Sequence, residues 1–198
     1  MALDKNLIDK FINITSMAAI ASYKYVGKKN KNLADKAATD EMRKNINELD
    51  IKGEVVIGEG ELDKAPMLFI GEKLGTGIGP EIDIAVDPLE GTNFAANNLP
   101  GALSVMAIAS KGNLFKAPET YMNKLAVGKD VPYDAIDLDF SIDKNIKNLA
   151  DVKNKKISDL TACILDRPRH KRIIEDLKKL KVNLKLISDG DISGALLV

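Results

Sequence analysis

The chain has 198 residues, enough for one large domain or for one domain and the start of another. Hydrophobic residues make up 45% and charged residues 29%, a composition typical of chains that bury a core, so disorder is not expected. Lys+Arg and Asp+Glu both total 29, which excludes an overall positive field for nucleic acid or an anionic membrane. An anionic ligand must therefore be bound by a local site.

Cysteine content and the first residues indicate the compartment. The single cysteine, Cys163, lies in an apolar run and is interpreted as a small buried hydrophobe, so no disulfide framework can form. The apolar stretch 17–21 is too short to span a bilayer and is preceded by acidic as well as basic residues, unlike a signal peptide. We expect a cytoplasmic protein.

Two amphipathic helices are predicted at the start of the chain. Apolar residues recur at three- and four-residue steps over residues 4–26, and Gly27 would end that helix. The same period over residues 36–49 predicts a second helix, with Asp35 placed to cap its start. For Asp35, capping is the structural alternative to a role in a site.

Four later segments share a pattern in which a short apolar run ends at a cluster of glycine, proline and charged residues. These runs cover residues 54–57, 82–86, 161–165 and 184–187. In α/β proteins the carboxyl ends of strands are where ligands bind, so the four strand ends predict one shared site.

The remaining segments complete an α/β pattern. Residues 102–109 predict another strand, and the Asp-rich stretch 130–145 resembles a solvated connection between domains. Residues 156–198 predict a strand, a helix over 169–180, a second strand and the start of a helix. We therefore predict a metal-binding domain over 1–155 and the start of a second α/β domain over 156–198.

The strongest local signal is the sequence DPLEGT at residues 87–92. Proline and glycine favour a sharp turn, while two carboxylates and a hydroxyl follow the strand end. Hard cations such as Mg²⁺ and Mn²⁺ prefer oxygen ligands of this kind. By itself the segment is equally typical of a turn followed by a capped helix.

A second acidic segment, GEGELD at residues 58–63, favours a metal site over a turn followed by a capped helix. At ~4 Å and an effective dielectric constant near ~20, each like-charge pair costs roughly 4 kcal/mol, so converging carboxylates need a cation or a proton. A solvated surface loop remains the alternative for Glu61.

Basic and acidic turns follow the last two predicted strands. In DRPRH at residues 166–170, two arginines precede a helix, an arrangement suited to bidentate phosphate binding; a basic turn paired with nearby acids is the alternative. His170 is more typical of a structural histidine. In SDGD at 188–191, acceptors suit sugar hydroxyls or a metal-bound water, and an ordinary capped turn fits equally well. The basic run 28–31 is interpreted as solvated when taken alone.

Taken together, these segments resemble the class II fructose-1,6-bisphosphatases in content and order. The segments are KNLAD at 31–35, GEGELDKAPML at 58–68, DPLEGT at 87–92, APETYM at 117–122, RPRH at 167–170 and DGD at 189–191. The DPLEGT-like segment is shared with the wider lithium-sensitive phosphatase superfamily, whereas the run 58–68 selects the family. The resemblance covers essentially the whole chain.

The resemblance implies a layered α/β/α/β/α sugar-phosphatase fold. It further implies hydrolysis of the 1-phosphate of fructose 1,6-bisphosphate with Mn²⁺ or Mg²⁺, a step of gluconeogenesis linked to glycerol metabolism. We expect a homo-oligomer, a dimer or a tetramer. Alternatives are a phosphatase acting on sedoheptulose 1,7-bisphosphate or an inositol phosphate, and a non-catalytic fragment that retains metal or phosphate binding.

The resemblance also assigns residues. The implied metal ligands are Asp35, Glu59, Asp87 and Glu90. The implied substrate contacts are Glu90, Gly91, Thr92, Tyr121, Arg167, Arg169, Asp189 and Asp191. Lys31, Asp63 and Thr92 match positions important for activity, and Thr92 paired with Asp35 or Asp63 would orient the attacking water.

Two departures from the family pattern change no implied ligand. Lys36 follows Asp35 where a glycine is usual, and Asn93 follows Thr92 at a variable position. A third departure affects the site itself. Members of the family continue past the point that matches Val198, and their later glutamate ligand has no counterpart here, so we expect this chain to end before its site is complete.

Overall fold

The computed structural model describes residues 3–59, 67–116 and 120–198. The chain divides into two compact units, Met1–Thr120 and Tyr121–Val198. The predicted domain boundary after residue 155 lies within the second unit and stays a prediction. Helices and sheets occur in both units, which confirms the predicted α/β class.

The first unit begins with two helices, α1 (Lys5–Tyr23) and α2 (Lys31–Asn47). Each buries one apolar stripe, which in α1 includes Phe11 and Ile14, because residues three and four apart share a helix face. The chain leaves α1 slightly earlier than predicted and reaches Gly27 at a φ of 75°. Among the described residues, no helix has the length and apolar character needed to cross a membrane.

The start of α2 corrects the prediction that Asp35 is a helix cap. The capping residue is Asn30, whose Oδ1 accepts a hydrogen bond from the backbone N–H of Leu33 at 3.1 Å. The first turn of a helix has N–H groups without intrahelical partners, and a cap must precede them. Asp35 lies inside the helix, so its carboxylate is available for another role.

A four-stranded sheet packs against these helices. Its strands are β1 (Lys52–Ile57), β2 (Lys73–Leu74), β3 (Glu81–Glu90) and β4 (Leu103–Ser110), in the order β2-β1-β3-β4. β1 and β3 are parallel, whereas β2 and β4 run antiparallel to their neighbours. β1 and β3 therefore place their carboxyl ends at the same edge.

The core of this unit lies between the sheet and the helices. Ile82 and Ile84 alternate on one face of β3, as the two-residue period of a strand requires, and are almost fully buried. From α2, Met42 and Ile46 are fully buried in the same cluster. Each such side chain contributes roughly 1.5–3 kcal/mol, so the core holds β3 rigidly beneath its carboxyl end.

The second unit contains a parallel two-stranded sheet. The α-helices and strands of this unit are α4 (Ile142–Val152), β5 (Thr161–Leu165), α5 (Lys171–Lys179), β6 (Asn183–Ile187) and α6 (Asp191–Ala195). The strand predicted over 161–165 is confirmed with the same bounds. Because α5 connects the two parallel strands, β5 and β6 end at the same edge.

The Asp-rich stretch 130–145, predicted to connect domains, lies within the second unit, and the predicted division into domains stays a prediction. Its last residues begin helix α4 at Ile142, and side chains from α4 and from Lys153 contact the residues before the helix. Lys153 forms an ion pair with Asp130 at 2.8 Å, and Asn145 donates to the carbonyl of Asp137 at 2.7 Å. Asn148 also donates, to the carbonyl of Ala135 at 2.8 Å. These side chains satisfy a backbone that has little secondary structure of its own.

Candidate active site

The carboxyl end of β3 carries the central residues of the site. The register of β3 against β4 shifts between Asp87 and Glu90, where Pro88 has no N–H to donate to a ladder. The backbone N–H of Leu89 instead donates to Asp87 Oδ1 at 3.1 Å. This irregularity turns the chain, so that Asp87 and Glu90 lie close together where the strand ends.

The environment of Asp87 strongly disfavours its ionised form. Burial, a hydrogen bond with Glu90, and repulsion from the carboxylates of Glu59, Glu90 and Asp35 raise the pKa of Asp87 from 3.8 to about 9. In the absence of a cation, this carboxyl group therefore holds a proton at neutral pH. A bound divalent ion would replace that proton, because it supplies the positive charge that the cluster needs.

Glu59 reaches this cluster through a close backbone approach. Its N–H donates to the carbonyl oxygen of Leu68 at 2.9 Å. At the preceding residue, Gly58, a β-carbon would lie 2.2 Å from that same oxygen and 2.8 Å from Val55 Cγ1. Only glycine fits between these atoms, so Gly58 permits the pairing that places Glu59 beyond the end of β1.

Asp35 contributes a buried oxygen from helix α2. Within the described ranges its Oδ1 is buried and has no hydrogen-bond partner. Burial raises the pKa of this carboxyl group above its ordinary value. Leaving a buried acceptor unsatisfied costs about 1–3 kcal/mol, and more when the group is charged, so Asp35 is chemically suited to a cation or a proton donor.

The four predicted metal ligands share one electrostatic neighbourhood. Asp35, Glu59 and Glu90 all act on the pKa of Asp87, although they come from different elements. Among the described residues, however, no three acidic, histidine or cysteine side chains are grouped closely enough to enclose an ion. The pKa of Asp87 reports longer-range repulsion, whereas a ligand cage requires contact distances. A shared metal therefore stays a prediction.

The structure also describes three further predicted residues of the first unit, Gly91, Thr92 and Lys31. Gly91 adopts a φ of 77° and precedes α3 (Thr92–Ala96), so Thr92 directly follows the turn that carries Glu90. Lys31 is exposed at the first position of α2. The predictions for Glu61 and Asp63 lie outside the described residues.

In the second unit, the strand ends bring the predicted basic and acidic residues together. Arg167, which follows β5, lies 3.7 Å from Asp189, which follows β6. Both side chains are partly exposed, so this long ion pair contributes at most about 1 kcal/mol. Arg167 can therefore exchange this contact for a ligand phosphate at little cost.

Arg169 and Tyr121 form a second pair within this unit. The guanidinium carbon of Arg169 lies 4.4 Å from the centre of the Tyr121 ring, a cation–π contact that orients the guanidinium. Asp191 forms an ion pair with Lys124, a residue that sequence reasoning did not select. His170 donates from Nδ1 to the carbonyl of Leu165 at 2.7 Å, in keeping with its predicted structural role.

The family follows from comparison with known proteins. The model of a family described as "Bacterial fructose-1,6-bisphosphatase, glpX-encoded" matches residues 5–198. The chain belongs to this family. Over 193 residues it is 45% identical to fructose-1,6-bisphosphatase 1 class 2 of Escherichia coli K12 and to class 2 enzymes of E. coli O6:H1 and Shigella flexneri.

The match to these class 2 fructose-1,6-bisphosphatases covers 98% of this chain and 57% of each relative. The chain thus spans little more than half the length of the curated relatives that it matches. Among solved structures, an extragenic suppressor from Pyrococcus furiosus is similar at 20% identity, over 54% of this chain and 41% of the other, with a TM-score of 0.37. This likeness is too low to carry an argument.

Two interactions of buried or partly buried side chains in this fructose-1,6-bisphosphatase family member were missed by sequence reasoning. Arg43 of α2 donates from Nε to Glu72 at 2.6 Å and from Nη2 to the carbonyl of Met67 at 2.5 Å, which holds the segment next to Leu68. On β3, fully buried Asp83 accepts from the N–H of Gly112 at 2.6 Å. No local motif marks these pairs, because each joins residues far apart in the chain.

Proposed function

We propose that this chain is a metal-dependent phosphatase that hydrolyses the 1-phosphate of fructose 1,6-bisphosphate. The observation that carries the proposal is the carboxylate cluster that raises the pKa of Asp87 to about 9. Its residues are those implied as ligands by the family to which the chain belongs. The substrate is taken from the printed names of the relatives, each of which is a fructose-1,6-bisphosphatase.

The residues present fit a hard divalent cation. Asp35, Glu59, Asp87 and Glu90 offer only oxygen donors, and Asp35 has a buried oxygen that lacks a partner among the described residues. Oxygen donors of this kind suit Mg²⁺ or Mn²⁺, and we propose that these four side chains hold one of them. When bound, such an ion would neutralise phosphate charge and make a bound water more acidic.

The chain's own residues would orient and deprotonate the attacking water. The hydroxyl of Thr92, next to the turn at Gly91, is proposed to accept one hydrogen bond from that water. Asp35 Oδ1 is proposed to accept another. Hydrolysis forms one P–O bond from water and breaks the bond from phosphorus to the C1 oxygen of the sugar. The sugar oxygen leaves with a proton that derives from the water, and no phosphoenzyme is needed.

The second unit contains groups suited to binding a phosphate and sugar hydroxyls. We assign the guanidinium groups of Arg167 and Arg169 to the distal phosphate, because arginine forks match phosphate oxygens. Tyr121 orients Arg169 through their cation–π contact. Asp189 and Asp191 are acceptors for sugar hydroxyls.

Release of phosphate by the chain tests the proposal. We expect a version extended to the length of these relatives to turn over fructose 1,6-bisphosphate with Mn²⁺ or Mg²⁺, to turn over sedoheptulose 1,7-bisphosphate and inositol monophosphate more slowly, and to be much more active than the 198-residue chain. Asp87→Ala should abolish turnover and weaken Mn²⁺ binding measured by calorimetry. The matched control, Asp134→Ala, changes an exposed aspartate and should alter neither. Full turnover by Asp87→Ala at saturating Mn²⁺ would refute the assignment.

The proposal also covers the compartment, the pathway and the oligomeric state of the enzyme. We propose a cytoplasmic enzyme of gluconeogenesis that assembles as a homo-oligomer, a dimer or a tetramer. Light scattering on the purified protein measures the mass of the assembly directly, and a monomer at micromolar concentration would contradict the oligomer.

A further inference from the structure

A cavity lies in the first unit, at the opposite end of the strands that carry the carboxylates. It has a volume of about 280 Å³ and is lined by the amino ends of β1 and β3, by β2 and by the glycine-rich loop that follows β2. β1 has six residues, so at ~3.3 Å per residue this cavity is roughly 20 Å from Glu59. It is therefore distinct from the candidate active site.

Positive charge predominates at this cavity. Lys52, Lys73 and Lys111 line it together with Glu54 and Glu81. Lys73 pairs with Glu54 at 2.7 Å, and Lys111 pairs with Glu81 at 2.9 Å. A further lysine, at position 116, lies 3.6 Å from Glu54. Three ammonium groups and two carboxylates thus line the cavity, which leaves one excess positive charge in its lining, in a chain with no net charge.

The register of the sheet brings these charges together. Lys52 of β1 is opposite Glu81 of β3, and Glu54 of β1 is opposite Lys73 of β2. The backbone N–H of Lys111 donates to the carbonyl of Glu81 at 3.1 Å, which places Lys111 beside the same strand end. Within the described part of the chain, Lys52 has no carboxylate within ion-pair distance. Its ammonium group is the one most readily available to a ligand.

The glycine-rich loop after β2 forms one wall of the cavity but offers few free hydrogen-bond donors. The N–H groups of Gly75, Thr76 and Gly77 already donate to Asn47 Oδ1 and to the carbonyls of Leu49 and Ile51. The loop therefore cannot cradle a phosphate with its backbone as a P-loop does. Any attraction for an anion must come from the lysine side chains.

We propose that this cavity binds a small anion that carries a phosphoryl group. The lining has one excess positive charge, and its three lysine ammonium groups can bind phosphate as point charges from several directions. The volume exceeds that of a phosphate group, and Leu74 and Ile82 give one side an apolar wall. Inorganic phosphate and the phosphate end of a small phosphomonoester share this chemistry.

Amide chemical shifts in the metal-free chain provide the test. The ¹⁵N-labelled protein in EDTA and low salt is titrated with inorganic phosphate, glycerol 3-phosphate and, as an uncharged probe, glycerol. We expect the amides of Gly53, Gly75 and Gly77 to shift with both phosphates and not with glycerol. If inorganic phosphate and glycerol 3-phosphate bind with equal affinity, inorganic phosphate is the natural class of ligand. If glycerol 3-phosphate binds more tightly, the natural ligand is a phosphomonoester. Arg167→Ala should leave these shifts unchanged, which separates this cavity from the proposed substrate residues.

Charge variants test whether the lysine side chains of the cavity are responsible for phosphate binding. Lys52→Gln should weaken phosphate binding about fivefold to tenfold, and Glu81→Gln should tighten it, because a competing carboxylate is removed. Lys44→Gln changes an exposed side chain of α2, is the matched control, and should not alter phosphate binding. Unchanged affinity in Lys52→Gln, or no shift of these glycine amides at ~50 mM phosphate and low ionic strength, would overturn the proposal.

Discussion

Replacing Asp87 by asparagine should stabilise the metal-free protein as the pH rises. Asparagine keeps an acceptor for the N–H of Leu89 and presents an NH₂ group to Glu90, so it imitates the protonated aspartic acid. In the native chain, Asp87 must either hold its proton or accept repulsion from Glu59, Glu90 and Asp35. The variant removes this titration.

The magnitude follows from proton linkage. The pKa of Asp87 is 3.8 when the residue is unperturbed and about 9 in the folded chain, so the folded state binds more protons between these values. The free energy of unfolding therefore falls as the pH rises through this window, by up to about 1.4 kcal/mol per pH unit. From pH ~5 to pH ~8 the ceiling is about 4 kcal/mol. Because Asp87 keeps some contact with solvent, we expect about 2 kcal/mol.

Urea denaturation in EDTA, followed by circular dichroism, measures this difference. The stability of Asp87→Asn minus that of the native chain should grow by about 2 kcal/mol between pH ~5 and pH ~8. Glu81→Gln, an exposed change on the same strand, is the control and should show no such growth. Saturating Mn²⁺ should stabilise the native chain by about 3 kcal/mol at a hundred times its Kd, and the variant much less.

A constant difference between the two chains at all pH values would refute this reasoning. So would a native chain that gains stability over the variant as the pH rises without metal. Either outcome would mean that the carboxylates near Asp87 do not repel it in the folded protein.

Three further predictions concern neighbouring parts of the chain. Gly58→Ala should destabilise the protein by about 1–3 kcal/mol in urea, because a β-carbon there meets a backbone carbonyl at 2.2 Å; an unchanged midpoint would contradict the close approach. Arg43→Ala should cost roughly 3 kcal/mol, because Glu72 would stay partly buried without its partner, whereas exposed Lys147→Ala should cost under about 0.5 kcal/mol. Arg169→Ala should raise KM more than it lowers kcat in steady-state kinetics; a loss of kcat alone would place Arg169 at the reacting phosphate.

The sequence by itself determined the elements whose signals are local. The strand at 161–165 was predicted with its observed bounds, because a short apolar run ends there at a proline-containing turn. The DPLEGT segment predicted a turn that presents two carboxylates, and in the structure a hydrogen bond joins Asp87 and Glu90, while their role in a site stays a prediction. The family was also readable from sequence, because its segments occur in order along the chain.

Only the tertiary structure decided how strongly the site residues shift the pKa of Asp87. The pKa of Asp87 depends on burial and on carboxylates from α2, β3 and the segment after β1, and no local pattern states their distances. Helix capping was the structural alternative to a metal-ligand role for Asp35, but Asn30 is the cap, and one oxygen of the Asp35 carboxylate is buried without a partner among the described residues. Gly58 is required by a carbonyl ten residues away, and Arg43 binds Glu72 across 29 residues. Close contacts of this kind arise when separate elements pack, so they become visible only in the folded chain.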